Sequence, residues 1–226
     1  MFIKSLLFTG AIAAAVAAVD IPLPSLLVPQ CPGQGTAVVD RTAPDRTAFP
    51  LTTVSLCYTQ TTLQLNFTAF QETNFYYNAS QGTNGDIYNY EVMEAFIYHG
   101  RNDPQTYLEF EVNPNNVTYQ AVVYNPTKVR AANAPFDHFF VTDPSTDGFS
   151  ASTTLDKAAQ TWRSSVQIPL ALFNLDGHVQ GSQWRMNFFR TITSPSMYPN
   201  QTLGAWSPPN QPSFHITPYF GHVAFT

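Results

Sequence analysis

The chain has 226 residues, of which 44% are hydrophobic and 11% charged, against about 25% charged in an average soluble domain. A largely disordered chain is thereby excluded, and the length suits one domain of ordinary size or one large β domain. Ten Lys and Arg against 15 Asp and Glu give a net charge of −5 with no basic block, so nucleic acid and anionic membranes are poor partners.

In chain order, residues 1–18 read as an export signal: Lys4 precedes an apolar stretch from Leu6 that ends in Val16-Ala17-Ala18. The small residues there suit a signal peptidase, with cleavage after Ala18. Beyond it, no apolar run approaches the roughly 18 to 20 residues that a spanning helix needs, so no membrane partner is expected after cleavage. Residues 19–50 are Pro-rich without periodicity and read as an extended arm tied down by Cys31, leaving residues 51–226 as the domain. Cys31 and Cys57 are the only cysteines, an even pair able to close a loop in an oxidising compartment. Four N-glycosylation sequons, at Asn66, Asn78, Asn116 and Asn200, agree with a secreted, extracellular glycoprotein, although a chain rich in Asn, Ser and Thr also produces such triplets by chance.

Regular structure is expected from residue 61. Residues 61–70 alternate Leu63, Leu65, Phe67 and Ala69 with Gln64, Asn66 and Thr68, the two-residue period of a half-buried strand. Strands follow at 91–99 and 106–112, joined by a turn at Arg101-Asn102-Asp103-Pro104, and at 117–124 after the turn Asn113-Pro114-Asn115-Asn116. Residues 125–150 lack alternation and read as a long surface loop of the kind that flanks binding faces. Further strands are expected at 161–168 and 183–192, with a helical turn around 169–173 and a closing segment at 217–225. No helical period extends over three turns, so the fold class is all-β, an antiparallel β-sandwich or jelly roll, expected as a monomer.

In a chain so poor in charge, charges inside strands stand out. On 106–112, Tyr107, Glu109 and Glu111 share one face while Leu108, Phe110 and Val112 share the other. Glu94 shares a face with Phe96 and Tyr98, and Arg185 with Asn187 and Phe189. One sheet face thus gathers carboxylates, an arginine, an amide and rings, a mixture suited to sugars, whose hydroxyls take charged or amide partners and whose C–H faces take a flat ring. The same residues equally describe a solvated face with cross-strand Glu–Arg pairs. A glycoside hydrolase using Glu94, Glu109 or Glu111 would need carboxylates about 5 to 9.5 Å apart. Positions 109 and 111 lie roughly 6.5 to 7 Å apart along a strand, but Glu-x-Glu is a common alternation and no catalytic residue is assigned.

Among aromatics, Trp162 and Trp184 are in phase with core residues, whereas Tyr88, Tyr90 and Trp206 stand where loops meet strands and are the better sugar platforms. No metal motif or zinc spacing is present, and no cofactor is called for. A structural calcium ion at Asp143, Asp147 and Asp156 competes with ordinary turn roles, and a haem held by Met93 or Met186 with His99 is a weak match.

The segments Tyr88-Asn89-Tyr90-Glu91-Val92-Met93-Glu94, Tyr107-Leu108-Glu109-Phe110-Glu111-Val112-Asn113-Pro114, Trp184-Arg185-Met186-Asn187-Phe188-Phe189-Arg190, Ala205-Trp206-Ser207-Pro208 and Phe214-His215 with Phe220-Gly221 occur in an order that resembles carbohydrate-binding module family 9, a DOMON-like β-sandwich. The resemblance runs from about residue 51 to 225. It implies a non-catalytic module that clamps a terminal sugar of a plant-wall glucan or xylan between two tryptophans. It also implies a link to carbohydrate catabolism, because relatives are attached to xylanases. By position, Trp206 matches one clamp ring, Glu94 the hydroxyl-binding glutamate and Asn187 a polar strand position. Tyr88 stands where the family has the other tryptophan, and Glu111 where it has a basic residue. With Tyr90 and Arg185 these complete the candidate ligand-binding set. A glycoside hydrolase, a haem-binding DOMON relative and a structural wall protein remain as alternatives.

Overall fold

Alternating side chains make strands wherever one face can be covered, and the computed structural model, which describes residues 22–175 and 177–226, contains thirteen. They are β1 (Ser25–Val28), β2 (Gly35–Thr42), β3 (Ala48–Tyr58), β4 (Thr62–Ala69), β5 (Val92–His99), β6 (Thr106–Val112), β7 (Thr118–Tyr124), β8 (Asp137–Phe140), β9 (Ser150–Asp156), β10 (Thr161–Pro169), β11 (Gln183–Ile192), β12 (Thr202–Ala205) and β13 (Gly221–Phe225). Short 3₁₀ turns lie at Ile87–Asn89, Leu170–Phe173 and Thr217–Tyr219. The expected export signal and its cleavage point lie outside the described residues. Among the described residues, no helix is long and apolar enough to cross a membrane.

The strands form one hydrogen-bonded path, β8-β7-β6-β5-β11-β12-β2-β3-β4-β10-β9, with β13 joining β11 to β1. Every pairing is antiparallel except β1 with β13. The path curls on itself, so Val54, Leu56, Leu65, Phe67, Trp162 and Ile168 from one half pack with Met93, Ile97, Phe110, Trp184, Met186 and Phe188 from the other. Stacked faces of this kind bury alternate residues of each strand, which makes the fold an all-β sandwich. Trp162 and Trp184 are core residues, as their phase predicts. Met93 and Met186 are fully buried in the same core, while His99 Nδ1 lies 3.0 Å from the Phe173 carbonyl, so these three side chains are occupied by packing and local bonding.

Strands expected at 61–70, 91–99, 106–112, 117–124, 161–168 and 183–192 are present within one or two residues. The segment read as an arm is different: it carries β1, β2 and the start of β3. The Cys31–Cys57 disulfide ties this segment to the end of β3. Pro50 obscures the strand pattern because it sits inside β3, where the β2–β3 register shifts between Val39 and Arg41. A proline without an N–H is tolerated at such an irregularity. The stretch 125–150 is likewise not all loop, since β8 adds an edge strand to β7. Unpredicted β9 and β12 have little apolar alternation of their own and form because a neighbour offers them a ladder.

The β6-β5-β11 half is buried on both faces, so β5 reads as a nearly unbroken buried run. Its inner face meets the sandwich core. Its outer face is partly roofed by residues 211–220, where Phe214 stacks on Phe189 at 4.0 Å and Phe220 joins Phe96 and Tyr107. That second face holds Glu94, Glu109 and Glu111.

Candidate functional site

Register alone assembles the floor of a cavity. Glu94 pairs with Glu111, Phe96 with Glu109, and Phe189 with Glu94, so Glu94, Glu109 and Glu111 all project from the outer face of β5 and β6. On β7, Tyr119 lies opposite Glu111. Walls come from Tyr88 at the 3₁₀ turn, from Arg130 and Phe136 in the connection after β7, from His138 on β8, and from Gln201, Leu203, Gln211 and His215. Together they bound a cavity of about 650 Å³, within the range of small-molecule sites.

The walls are held by specific contacts. Gln201 Nε2 donates to the Tyr88 carbonyl at 2.6 Å, fixing the turn that carries the ring. The Tyr88 ring meets Tyr119 edge-on at 6.3 Å and is 43% exposed, so one of its faces is free to stack. His215 lies over Phe96 at 5.1 Å, and its Nδ1 is 2.6 Å from the Tyr107 hydroxyl. The Arg130 guanidinium rests over the Phe136 ring at 4.4 Å, which orients it without burying it.

Burial dominates the electrostatics. Glu109 is pushed up to about 8 by burial. Glu94 and Glu111 are held well above the usual carboxylate range by burial first and then by neighbouring carboxylates. Burial, reinforced by Arg130, lowers His215 to about 3. At neutral pH the imidazole is therefore uncharged, and its 3.9 Å approach to Glu109 Oε1 is not an ion pair. The floor is a set of hydrogen-bonding carboxyl groups in a site of low polarity, able to grip hydroxyl-bearing ligands more tightly than the same groups in water.

Of the residues singled out from sequence, the fold brings Tyr88, Glu94 and Glu111 to this cavity, with Glu111 fully buried beneath it. Four others go elsewhere. Trp206 follows Ala205, which faces the outer side, so alternation turns the indole to the other side. There it packs on the sandwich core, 5.6 Å from Phe188, and covers Gly221, where a Cβ would collide with the ring. Arg185 spends its guanidinium on the chain itself, donating to the Phe220 carbonyl, the Pro218 carbonyl and Asp103 Oδ1 at 2.9, 3.2 and 2.8 Å. Asn187 clamps the Ser207 backbone, donating to its carbonyl at 2.9 Å and accepting from its N–H at 3.0 Å. Tyr90 stacks on Tyr198 at 5.2 Å and meets Tyr76 edge-on, forming a separate aromatic group.

The sequence reading missed Tyr119, Arg130, His138, Gln201 and His215. Tyr119 was within reach, since it keeps phase with Ala121 and Val123 on β7. His138 lies on the short edge strand β8, which carries no alternation, and the others come from connections with no periodicity. Asp143 and Asp156 are engaged in turns, accepting from the Thr146 and Ala159 N–H groups, and with Asp147 they form no cluster of ligand atoms. The sequon residues Asn66, Asn78, Asn116 and Asn200 are half-exposed or exposed.

No protein-family model matches the chain. A curated protein of Arthroderma benhamiae, named only as an extracellular protein, is 54% identical over 215 residues, which cover 95% of this chain and 96% of that one. Among solved structures, a candidate carbohydrate-binding protein of Bacteroides uniformis superposes with a TM-score of 0.66 at 16% identity, over 91% of this chain and all of the other. A family 9 carbohydrate-binding module of Caldicellulosiruptor kristjanssonii in complex with cellotriose gives 0.58 at 13% identity, over 90% and 94%. The module from that organism in complex with glucose gives 0.53 at 14% identity, over 90% and 96%. At such identities the likeness is one of fold.

Proposed function

This chain belongs to the same family as the extracellular protein of Arthroderma benhamiae, and from that premise we propose that it is a secreted, non-catalytic carbohydrate-binding protein. The observation that carries the proposal is the cavity of about 650 Å³, in which a half-free tyrosine ring stands above a floor of carboxyl groups. A flat ring for a sugar's C–H face, with clustered acceptors and donors for its hydroxyls, is the combination that sugar recognition uses. The fold shared with modules in complex with cellotriose and glucose supports the same reading.

In this reading the chain is a module of the DOMON-like family 9 type, and its ligands are plant-wall glucan or xylan chains, bound at their ends. Tyr88 is the stacking platform. Glu94, Glu109, Gln201 and His215 bond hydroxyls, with Arg130 at the rim. Calorimetric titration of the purified protein with cello- and xylo-oligosaccharides, with an assay for new reducing ends, tests it. Saturable binding without cleavage, weakened in Tyr88→Ala, is the expected result. Release of reducing ends that stops in Glu109→Gln would replace the binding module with a glycoside hydrolase, and no heat with any sugar would refute binding.

A further inference from the structure

Opposing like charges across a β-ladder is unfavourable, and burying them is more so unless something of opposite charge or a donor compensates. Glu94 and Glu111 face each other directly, and Glu109 adds a third carboxyl from the same face of β6. One oxygen from each lies within 4.8 Å of the others, and all three side chains are buried.

A second observation concerns what reaches them. Neither Oε1 nor Oε2 of Glu111, a side chain with no exposed surface, has a hydrogen-bond donor from outside this carboxyl cluster among the described residues. Around the other two, Thr191 Oγ1 donates to Glu94 at 3.5 Å, and His215 Nε2 stands 3.9 Å from Glu109. Among the described residues, the arginines in ion pairs are Arg41 with Asp40, Arg185 with Asp103 and Arg190 with Glu72, and no Lys or Arg pairs with the three glutamates. Arg130, the cation lining this cavity, is seated over Phe136. These two oxygens therefore lie among further carboxylate oxygens, beneath the cavity that Glu94 and Glu109 line.

Oxygen-only donors of this kind match hard divalent cations, and calcium in particular, which accepts irregular geometry and completes its shell with water or other oxygens. Zinc is less suited, because neither cysteine nor a coordinating imidazole joins the three. We propose that Glu94, Glu109 and Glu111 bind one divalent cation of the calcium class at the floor of the cavity. The site is distinct from the loop aspartates, whose carboxylates are engaged in turns. It also accounts for two buried acidic residues, Glu109 and Glu111, on one face of β6. Cation binding requires no sugar, although it engages Glu94 and Glu109, which the carbohydrate reading also places against hydroxyls.

The test uses the purified full chain, treated with chelator and exchanged into buffer without sugar. Calcium chloride titration by calorimetry is expected to give one saturable site. Terbium chloride is expected to luminesce on excitation of the nearby tyrosines and to be displaced by calcium. Affinity should fall at least tenfold in Glu111→Gln and in Glu109→Gln, and stay unchanged in Asp143→Asn. A calcium-dependent rise in the melting temperature of the unmodified protein gives a readout that needs no variant to fold. No binding at 10 mM calcium (a range extending to the weak extracellular sites of about 10⁻³ M), or loss of binding in Asp143→Asn with retention in Glu111→Gln, would overturn the proposal. Sugar titrations run separately distinguish its failure from failure of carbohydrate binding.

Discussion

Trp206 and Tyr88 separate the linear reading of the site from the folded one. Truncating Trp206 to alanine removes an indole packed against the sandwich core beside Phe188 and over Gly221. Deleting a large core aromatic costs about 3 to 5 kcal/mol. Because this ring is only partly buried, the lower end, about 3 kcal/mol, is expected. For a chain of this size each kcal/mol lowers the melting temperature by roughly 2 to 4 °C, so a drop of roughly 6 to 12 °C follows, with oligosaccharide affinity changing less than about twofold. Tyr88→Ala removes a ring that is 43% exposed and should alter stability by about 0.5 kcal/mol or less. Affinity for a bound oligosaccharide should fall roughly tenfold, or about 1.4 kcal/mol. Differential scanning calorimetry and isothermal titration on the two variants measure both quantities. If Trp206→Ala abolishes binding with an unchanged melting temperature, the placement of that ring against the core is wrong and the two-ring clamp is right.

Other outcomes follow from the same structure. In chelator, Glu109 and Glu91 are both pushed up to about 8, by burial first; a carboxyl whose folded value exceeds its unfolded one keeps protons that the unfolded chain has lost. Stability should therefore fall as pH rises from about 4.5 to 8, by up to about 1.4 kcal/mol per pH unit for each such carboxyl. Buried, uncharged His215, lowered to about 3, opposes this only between about 3 and 6.5, so a stability optimum in mildly acidic solution is expected in urea titrations, and an optimum above pH 8 would contradict the burial of these groups. Replacing Arg190, fully buried and 2.7 Å from Glu72, with Met should cost about 3 to 5 kcal/mol by stranding a buried carboxylate, and the double variant with Glu72→Gln should recover part of it; an additive double variant would argue against direct pairing. Removing the disulfide by Cys31→Ser with Cys57→Ser opens a loop spanning 26 positions, a loss of about 3.5 kcal/mol in the chain-entropy model, read from urea midpoints.

Legibility varied with the physical origin of each feature. Strands β4, β6, β7 and β10 could be read from alternation and β5 and β11 from short apolar runs, both properties of a few consecutive residues. β1, β2 and β3 were hidden by flanking prolines and by Pro50 inside a register shift. β8, β9 and β12 carry no strong pattern, and they exist because a neighbouring strand has unpaired backbone groups to satisfy. The same division holds for the site. That Glu109 and Glu111 share a face follows from a period of two, and so does the placement of Glu94 beside Phe96. That Glu94 stands opposite Glu111 is a matter of register between strands, which no local pattern encodes.

The amino-acid sequence by itself determined the all-β class, the alternating core faces, the pairing of its only two cysteines, and a chemistry of few charges and many rings. Tertiary structure decided which polar residues meet. It turned Trp206 toward the core because Ala205 took the outward position, and it consumed Arg185 and Asn187 in holding the chain segments around Phe220 and Ser207. It also brought His215 and Gln201, distant in sequence, to the carboxyl floor. Side-chain direction within a strand is a local consequence of chirality and pleat. Convergence of side chains from different strands and connections depends on strand order and register, which are settled only by the packing of the whole chain.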